Sequence, residues 1–106
     1  MYEKNLVKKN IILKTIFQDD TIIIFHNISK IHPIHLVAIP RKKYYSFLEF
    51  NISNNTNIIK KFWYNIKCII KYTQNLKYGY KIIIRNGILK KKYTKHFHVH
   101  IIGGEN

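Results

Sequence analysis

Residues 96–104 have the sequence HFHVHIIGG, in which three histidines alternate with apolar residues ahead of a glycine pair. Side chains along a β-strand point to opposite faces in turn, so the alternation predicts a strand over residues 95–102. The histidines share one face, and the apolar residues between them share the other, where they can pack against a helix. The histidines are His96, His98 and His100. The segment therefore predicts a buried apolar face that supports a polar, reactive one.

Three neighbouring imidazoles would repel one another if all were protonated, so at least partly neutral rings are expected. A neutral imidazole suits a nucleophile or a general base. The residues alone leave three explanations open: nucleophilic catalysis at phosphorus, a three-histidine zinc site with an open position for water, and an exposed strand without chemistry. His35, on a separate predicted strand, could join either of the first two sites.

The rest of the chain predicts an α+β fold with one antiparallel sheet of about five strands. Apolar and β-branched runs predict four further strands, and short turns between the first three favour a meander. These strands cover residues 15–17, 21–25, 35–39 and 80–84. The main helix is predicted from the asparagine-rich residues 51–57 to about Leu76, because its apolar residues share one helical face. A short helix is predicted within residues 3–14, and loops over residues 27–33 and 90–92.

The composition is strongly basic, with 19 Lys plus Arg against 5 Asp plus Glu and a formal net charge of +14. Such a charge suits an anionic partner, such as a nucleotide, a nucleic acid or a membrane surface. An AT-rich coding sequence would also raise the lysine, isoleucine and asparagine content, so a nucleic-acid partner is argued from charge alone.

The sequence also bounds where the protein works. No apolar stretch approaches the roughly 20 residues that a membrane-spanning helix needs, so no membrane partner is expected. Residues 1–10 lack the apolar core of a secretory signal, and Cys68 is the only cysteine. A disulfide framework and a cysteine-based zinc cluster are therefore excluded, and a cytoplasmic protein is the simplest expectation.

Three separated motifs resemble one known family. Residues 96–102 fit the histidine triad signature His-φ-His-φ-His-φ-φ, where φ is apolar, and two glycines follow as in the Hint branch. Residues 16–43, IFQDDTIIIFHNISKIHPIHLVAIPRKK, look like the front half of that family. Gly79 and Tyr80, followed by an apolar strand, resemble the strand that precedes the triad. The chain thus resembles the histidine triad (HIT) superfamily over about residues 2–104, as a single HIT domain spanning residues 1–106.

This resemblance implies a HIT-like fold whose sheet continues across a homodimer, with the main helix and the strand over residues 80–84 at the interface. It implies a nucleotide hydrolase or transferase in which His98 attacks the α-phosphorus of a purine nucleoside phosphoramidate. Water then hydrolyses the nucleotidyl-histidine. His96, His100 and His35 would contact the phosphate oxygens or aid proton transfer, and neither a metal nor another cofactor is required.

Two alternative functions are also compatible with the HIT superfamily. One is a dinucleoside polyphosphate hydrolase, although no glutamine stands between Gly79 and His96, where that branch tends to carry one. The other is a nucleotide-binding module with weak or lost catalysis, because a motif alone does not establish activity.

The nucleotide site carries over by position. The residues that line the nucleoside pocket by resemblance are Leu6, Phe25, His26 and Ile28. Asn27 replaces an aspartate that typically binds the ribose hydroxyls, so it cannot supply a charged bidentate contact. Arg85 and Asn86 stand where the family usually has Asn-Glu. The side-chain amide of Asn86 could take over the role of the family's asparagine. Residues 91–93, Lys-Lys-Tyr, replace Gly-Gln-Ser, which leaves Lys92 and Thr94 as candidate phosphate contacts.

Overall fold

The computed structural model describes residues 12–28, 33–86, 88–89, 92–93 and 96–104. Three strands come first, two helices follow, and further strands complete the described chain. The elements are β1 (Ile12–Gln18), β2 (Ile22–Ile28), β3 (Ile34–Pro40), α1 (Phe47–Ser53), α2 (Thr56–Tyr72), a 3₁₀ helix (Gln74–Tyr78), β4 (Tyr80–Ile84), β5 (Ile88–Leu89), β6 (Lys92–Tyr93) and β7 (Val99–Gly103).

Within the described residues, five strands form one antiparallel sheet in the order β1-β2-β3-β7-β4. The first three strands make the predicted meander. β7 then enters between β3 and β4, so the histidine segment lies inside the sheet and not at its edge. β5 and β6 pair with each other apart from this sheet. The predicted α+β fold is confirmed.

The two helices cover one face of the sheet. Alternate residues of β2, β3 and β7 are buried there, namely Ile22, Ile24, Leu36, Ala38, Val99 and Ile101. Phe50 of α1 and Phe62 of α2 meet them, with ring centroids 4.8 Å apart. Phe97, just ahead of β7, joins these rings at 5.0 Å from Phe50. The apolar residues between the histidines therefore lie in the core, as the alternation predicts.

The opposite face of the sheet carries the histidines. Residues paired across strands share a face, and β2 pairs Phe25 with Val37 of β3, which in turn pairs with His100 of β7. Phe25 and Val37 belong to a second buried group on this face, together with Ile23 and Ile39. His100 thus projects away from the helices, beside a patch of apolar side chains.

The main helix, α2, begins where the asparagine-rich stretch predicts. The Asn55 side chain accepts a hydrogen bond from the Ile58 N–H at 2.9 Å, which caps the first turn. The helix ends at Tyr72, short of the predicted Leu76, because the chain tightens there into the 3₁₀ helix that buries Leu76. In the described ranges, no helix is long and apolar enough to cross a membrane.

Strand pairing corrects two predictions near the N-terminus. Residues 12–14 belong to β1 and not to the predicted short helix, and the rest of that helix lies outside the described residues. Asn27 and Ile28 continue β2 into the predicted loop, where Ile12 pairs with Ile28. Backbone pairing with a neighbouring strand outweighs the local spacing of apolar residues in both places.

Three further differences lie nearer the histidines. The last strand begins at Val99 and not at residue 95, because the Phe97 N–H donates instead to the Tyr44 carbonyl oxygen at 2.6 Å. Lys92 lies in β6 and not in a loop. Helix α1 was not predicted, since seven residues with one buried side chain, Phe50, are too few for a helical period to show.

Candidate active site

The candidate site forms where β3 and β7 lie side by side. His35 pairs with Ile102, and His100 pairs with Val37, so the two histidines are diagonal neighbours on one face. His35 Nε2 lies 2.9 Å from His100 Nδ1, within hydrogen-bond distance. Residues 65 positions apart in the chain are thus joined directly, and the fourth histidine named from the sequence lies at the triad.

The carbonyl oxygen of His96 fixes the tautomer of His98. His98 Nδ1 lies 2.7 Å from this oxygen. A carbonyl oxygen only accepts hydrogen bonds, so Nδ1 carries the proton and donates it. In a neutral ring the lone pair then belongs to Nε2. A fixed tautomer with a free Nε2 lone pair is the form that a nucleophilic histidine needs.

His100 lies against His98, with ring centroids 4.7 Å apart in an edge-on arrangement. Its Nδ1 is occupied by His35, whereas its Nε2 is buried without a hydrogen-bond partner among the described residues. A buried polar nitrogen without a partner is costly unless a bound molecule supplies one. If His35 donates to Nδ1, the proton of His100 lies on Nε2, where it can meet a phosphoryl oxygen.

Burial keeps both rings neutral. It is the largest cause that lowers the pKa of His98, and the charge of Arg85 adds to it, while the bond to the His96 carbonyl opposes it. Burial is also the largest cause that lowers the pKa of His100 to about 3, and repulsion from His98 and His35 when they are protonated, and from Arg85, adds to it. Both imidazoles are therefore uncharged at neutral pH, as the sequence predicts for at least part of the cluster.

Low pH should destabilise the fold, because His100 binds a proton more readily in the unfolded chain than in the folded one. The pKa of a histidine in an unfolded chain is about 6.5, whereas that of folded His100 is about 3. The unfolded chain binds more protons between these values, so the free energy of unfolding falls as pH falls below about 6.5, and the fall stops below about 3. Urea denaturation should show a loss on the order of 2 kcal/mol between pH 7 and pH 5.

The variant His100→Asn tests the source of this loss. It removes the shifted imidazole, so its unfolding free energy should change less over the same pH range. An equal loss in the parent protein and in His100→Asn would contradict the assignment to His100.

His96 differs in role from the other two histidines of the triad. It lies ahead of β7, half-buried, and its backbone holds His98. His35 Nε2 and His100 Nδ1 lie within hydrogen-bond distance of each other. No group of three or more potential ligands that could hold a metal ion occurs among the residues that the structure describes.

The residues predicted to line the nucleoside pocket do not all lie on the same face of the sheet. Phe25 shares the face of His100, and Asn27 follows two positions later on β2. His26 pairs with Leu36, a core residue, so it lies on the helix-covered face, away from the histidine cluster. The other members of the predicted set are only partly described. Leu6 and Thr94 lie outside the described residues, as do the side chains of Ile28 and Lys92.

Asn86 is engaged elsewhere, and Arg85 lies at the site instead. The Asn86 side-chain oxygen accepts a hydrogen bond from the Phe47 N–H at 2.8 Å, which ties the end of β4 to the start of α1. The pairing of β4 with β7 ends at Ile84 opposite Val99, so one further step places Arg85 opposite His98. From the sequence, Arg85 is recognisable only as a departure from the asparagine that the family usually has at this position. Its position follows from the pairing of β4 with the triad strand, which a single sequence does not reveal.

Comparisons with known proteins concern the family and the fold of this chain. A sequence model of the HIT domain matches residues 8–106. An uncharacterized HIT-like protein of Rickettsia prowazekii is 32% identical over 110 residues, which cover 99% of this chain and 92% of that protein. The adenylylsulfatase HINT1 of Arabidopsis thaliana is 28% identical over 100 residues, 93% of this chain and 67% of that protein.

The solved structure of a HIT family hydrolase from Clostridium thermocellum is similar to this fold. It superposes with a TM-score of 0.75 and 21% sequence identity, covering 99% of this chain and 90% of that one. At this identity the likeness concerns the fold alone.

Proposed function

The chain belongs to the HIT-domain family, and from this membership we propose that it is a hydrolase that transfers a nucleotidyl group first to His98 and then to water. One observation carries the proposal, namely the hydrogen bond that holds the proton of His98 on Nδ1 and leaves Nε2 as a nucleophile. The low pKa of His98 supports it, because the ring is ready to attack without first losing a proton.

The proposed reaction has two displacements at the α-phosphorus. In the first, His98 Nε2 bonds to phosphorus, the bond from phosphorus to the leaving nitrogen breaks, and the departing amine takes up a proton from solvent. In the second, water bonds to phosphorus, the bond to His98 breaks, and the water's proton is released. The products are a nucleoside monophosphate, an amine and the free enzyme. His100 Nε2 would contact a phosphoryl oxygen in both steps.

The preferred substrates under this proposal are purine nucleoside phosphoramidates. Phe25 and Asn27 on β2 would face the nucleoside, on the side of the sheet that carries His100. Adenylyl sulfate is a second candidate, because the Arabidopsis relative is an adenylylsulfatase. A dinucleoside polyphosphate hydrolase, or a nucleotide-binding module without catalysis, remains the alternative.

The deciding experiment incubates the purified protein with adenosine 5′-phosphoramidate and follows AMP by chromatography. Release of AMP supports the proposed hydrolase. Faster turnover of diadenosine polyphosphates would favour the first alternative. AMP binding without turnover of any of these compounds would favour the binding module, and AMP-insensitive, salt-dependent binding to oligonucleotides would favour a nucleic-acid role.

We also propose that the protein is a homodimer that pairs two copies of β4. This strand forms an edge of the sheet, with Tyr80 and Ile82 about half exposed at 50% and 44%. An edge strand with exposed apolar side chains is a template for pairing with another copy. A two-fold axis beside β4 would continue the sheet across both subunits.

Light scattering should give the mass of a dimer for the parent protein and of a monomer for Ile82→Lys, because the new charge would be buried in the interface. Ile52→Lys is the matched control, since Ile52 on α1 is 73% exposed and belongs to no strand of the sheet. A monomeric parent protein would contradict the proposal, as would a dimer that survives Ile82→Lys.

A further inference from the structure

We propose that Arg85 binds the leaving group of the substrate and favours leaving groups that carry negative charge, such as an amine that bears a carboxylate. The inference rests on the proposed function, because it concerns the group that departs when His98 is nucleotidylated. It adds to that function a residue and a substrate class.

The position of Arg85 follows from strand pairing. β4 pairs Ile83 with His100 and Ile84 with Val99, so Arg85 comes next, opposite His98. Paired residues share a face, and alternate residues return to it, so Arg85 belongs to the face of Ile83 and His100. Its charge acts on the imidazoles of both His98 and His100. The guanidinium is therefore a neighbour of the proposed nucleophile.

Arg85 is also available to bind a ligand. It is exposed, and none of the three carboxylates in the described residues pairs with it. These carboxylates have other partners: Asp19 binds Thr21 and Asn65, Asp20 binds Lys61, and Glu49 accepts the Tyr45 N–H. The hydrogen bond from Phe47 to Asn86 fixes the backbone immediately after Arg85. An unpaired guanidinium at a site edge suits a carboxylate or another oxyanion.

The order of the strands assigns Arg85 to the leaving group. Under the proposed function the nucleoside lies over β2 and the phosphorus over the histidines of β3 and β7. β4 is the next strand beyond β7 and lies on the side away from β2. A substrate laid across the sheet in this direction therefore extends its leaving group toward β4 and Arg85.

The charges at the site also favour a leaving group that carries negative charge. His98 and His100 are held neutral by burial, so neither ring supplies a positive charge. The guanidinium of Arg85 supplies a positive charge instead. A leaving group that brings a negative charge gains an attraction that an uncharged one lacks, and a cationic one would be repelled.

Two AMP amides of nearly equal shape test the inference. One carries β-alanine and the other propylamine, so they differ mainly by a terminal carboxylate in place of a methyl group. The parent protein should hydrolyse the β-alanine amide with a kcat/KM about tenfold higher, the size of one charge-assisted contact. Arg85→Gln should bring the ratio close to one, Arg85→Lys should keep part of it, and Arg85→Glu should reverse it.

Arg41→Gln is the matched control, because Arg41 is the other arginine of the chain and hydrogen-bonds Gln18 of β1, at the opposite edge of the sheet. It should keep the parent ratio. A parent ratio near one would overturn the inference, and so would a ratio that Arg85→Gln leaves unchanged. An equal loss for both amides in Arg85→Gln would also overturn it, since Arg85 would then act at the phosphoryl group.

Failure of the proposed function gives a different result. If the parent protein hydrolyses neither amide, the hydrolase proposal fails, and calorimetry with the same two amides still tests Arg85. A dissociation constant about tenfold lower for the β-alanine amide, lost in Arg85→Gln, would support the inference. Equal dissociation constants would overturn it.

Discussion

His98→Gln is expected to lower kcat for a nucleoside phosphoramidate by at least about 10⁴-fold, because under the proposed function it removes the covalent nucleophile and with it the reaction path. Glutamine approximates the size of the ring but has no nitrogen lone pair that can attack phosphorus. Binding of AMP should change little, since the proposed nucleoside contacts lie on β2. Steady-state turnover and AMP calorimetry on the same preparation measure the two effects separately.

Mass spectrometry after rapid quenching in an alkaline denaturant tests the same step directly, because the phosphorus–nitrogen bond of a nucleotidyl-histidine survives in alkali but not in acid. The parent protein should gain the mass of one nucleotidyl group during turnover, and His98→Gln should not. A melting temperature close to that of the parent protein would confirm that the variant is folded. Turnover by His98→Gln within about tenfold of the parent rate would show that another group, or water itself, attacks phosphorus.

Phe97→Ala is expected to lower the free energy of unfolding by about 3–5 kcal/mol, the usual cost of removing a buried phenyl ring. Phe97 is 0% exposed. Its ring lies 5.0 Å from that of Phe50 and 5.9 Å from that of Phe62, measured between centroids. No solvent reaches this position, so the truncation leaves a cavity among the aromatic rings of both helices.

The loss should also reach the histidines, because Phe97 lies between His96 and His98 in the chain. Its ring anchors the backbone whose carbonyl fixes His98, so Phe97→Ala should lower kcat even where the protein remains folded. Urea denaturation and turnover measure the two effects. Phe97→Leu, which keeps most of the volume, should lower both the free energy of unfolding and kcat by less.

Phe47→Ala is the control, because its ring contacts Phe97 but is 39% exposed. An equal loss from Phe47→Ala and Phe97→Ala would contradict the anchoring role.

The elements that the sequence predicts well are those whose local pattern and tertiary surroundings agree. The strand over residues 80–84 is confirmed to the residue, and the main helix starts beside its asparagine caps. Prediction fails where long-range strand pairing determines the secondary structure. Residues 12–14, for example, belong to β1 because they pair with β2. Prediction also fails for α1, whose single buried residue, Phe50, gives no period.

For the site, the sequence identifies residue types and the structure supplies their relations. His35 and His100 are both recognisable, but only the pairing of β3 with β7 shows that their nitrogens touch. The fixed tautomer of His98 depends on a backbone oxygen, which no residue type encodes. Arg85 is the clearest omission, because its proposed role arises from register, and register is set by the whole sheet.

The place of β7 has a consequence for how this molecule is made. A strand that follows β4 in the chain but is inserted between β3 and β4 leaves a gap until it arrives. During synthesis the first three strands and both helices emerge before residues 99–103 can fill that gap, so the sheet closes late and through distant contacts. Nascent chains would therefore expose the bare edges of β3 and β4 to chaperones, and the histidine cluster would form all at once, when β7 docks.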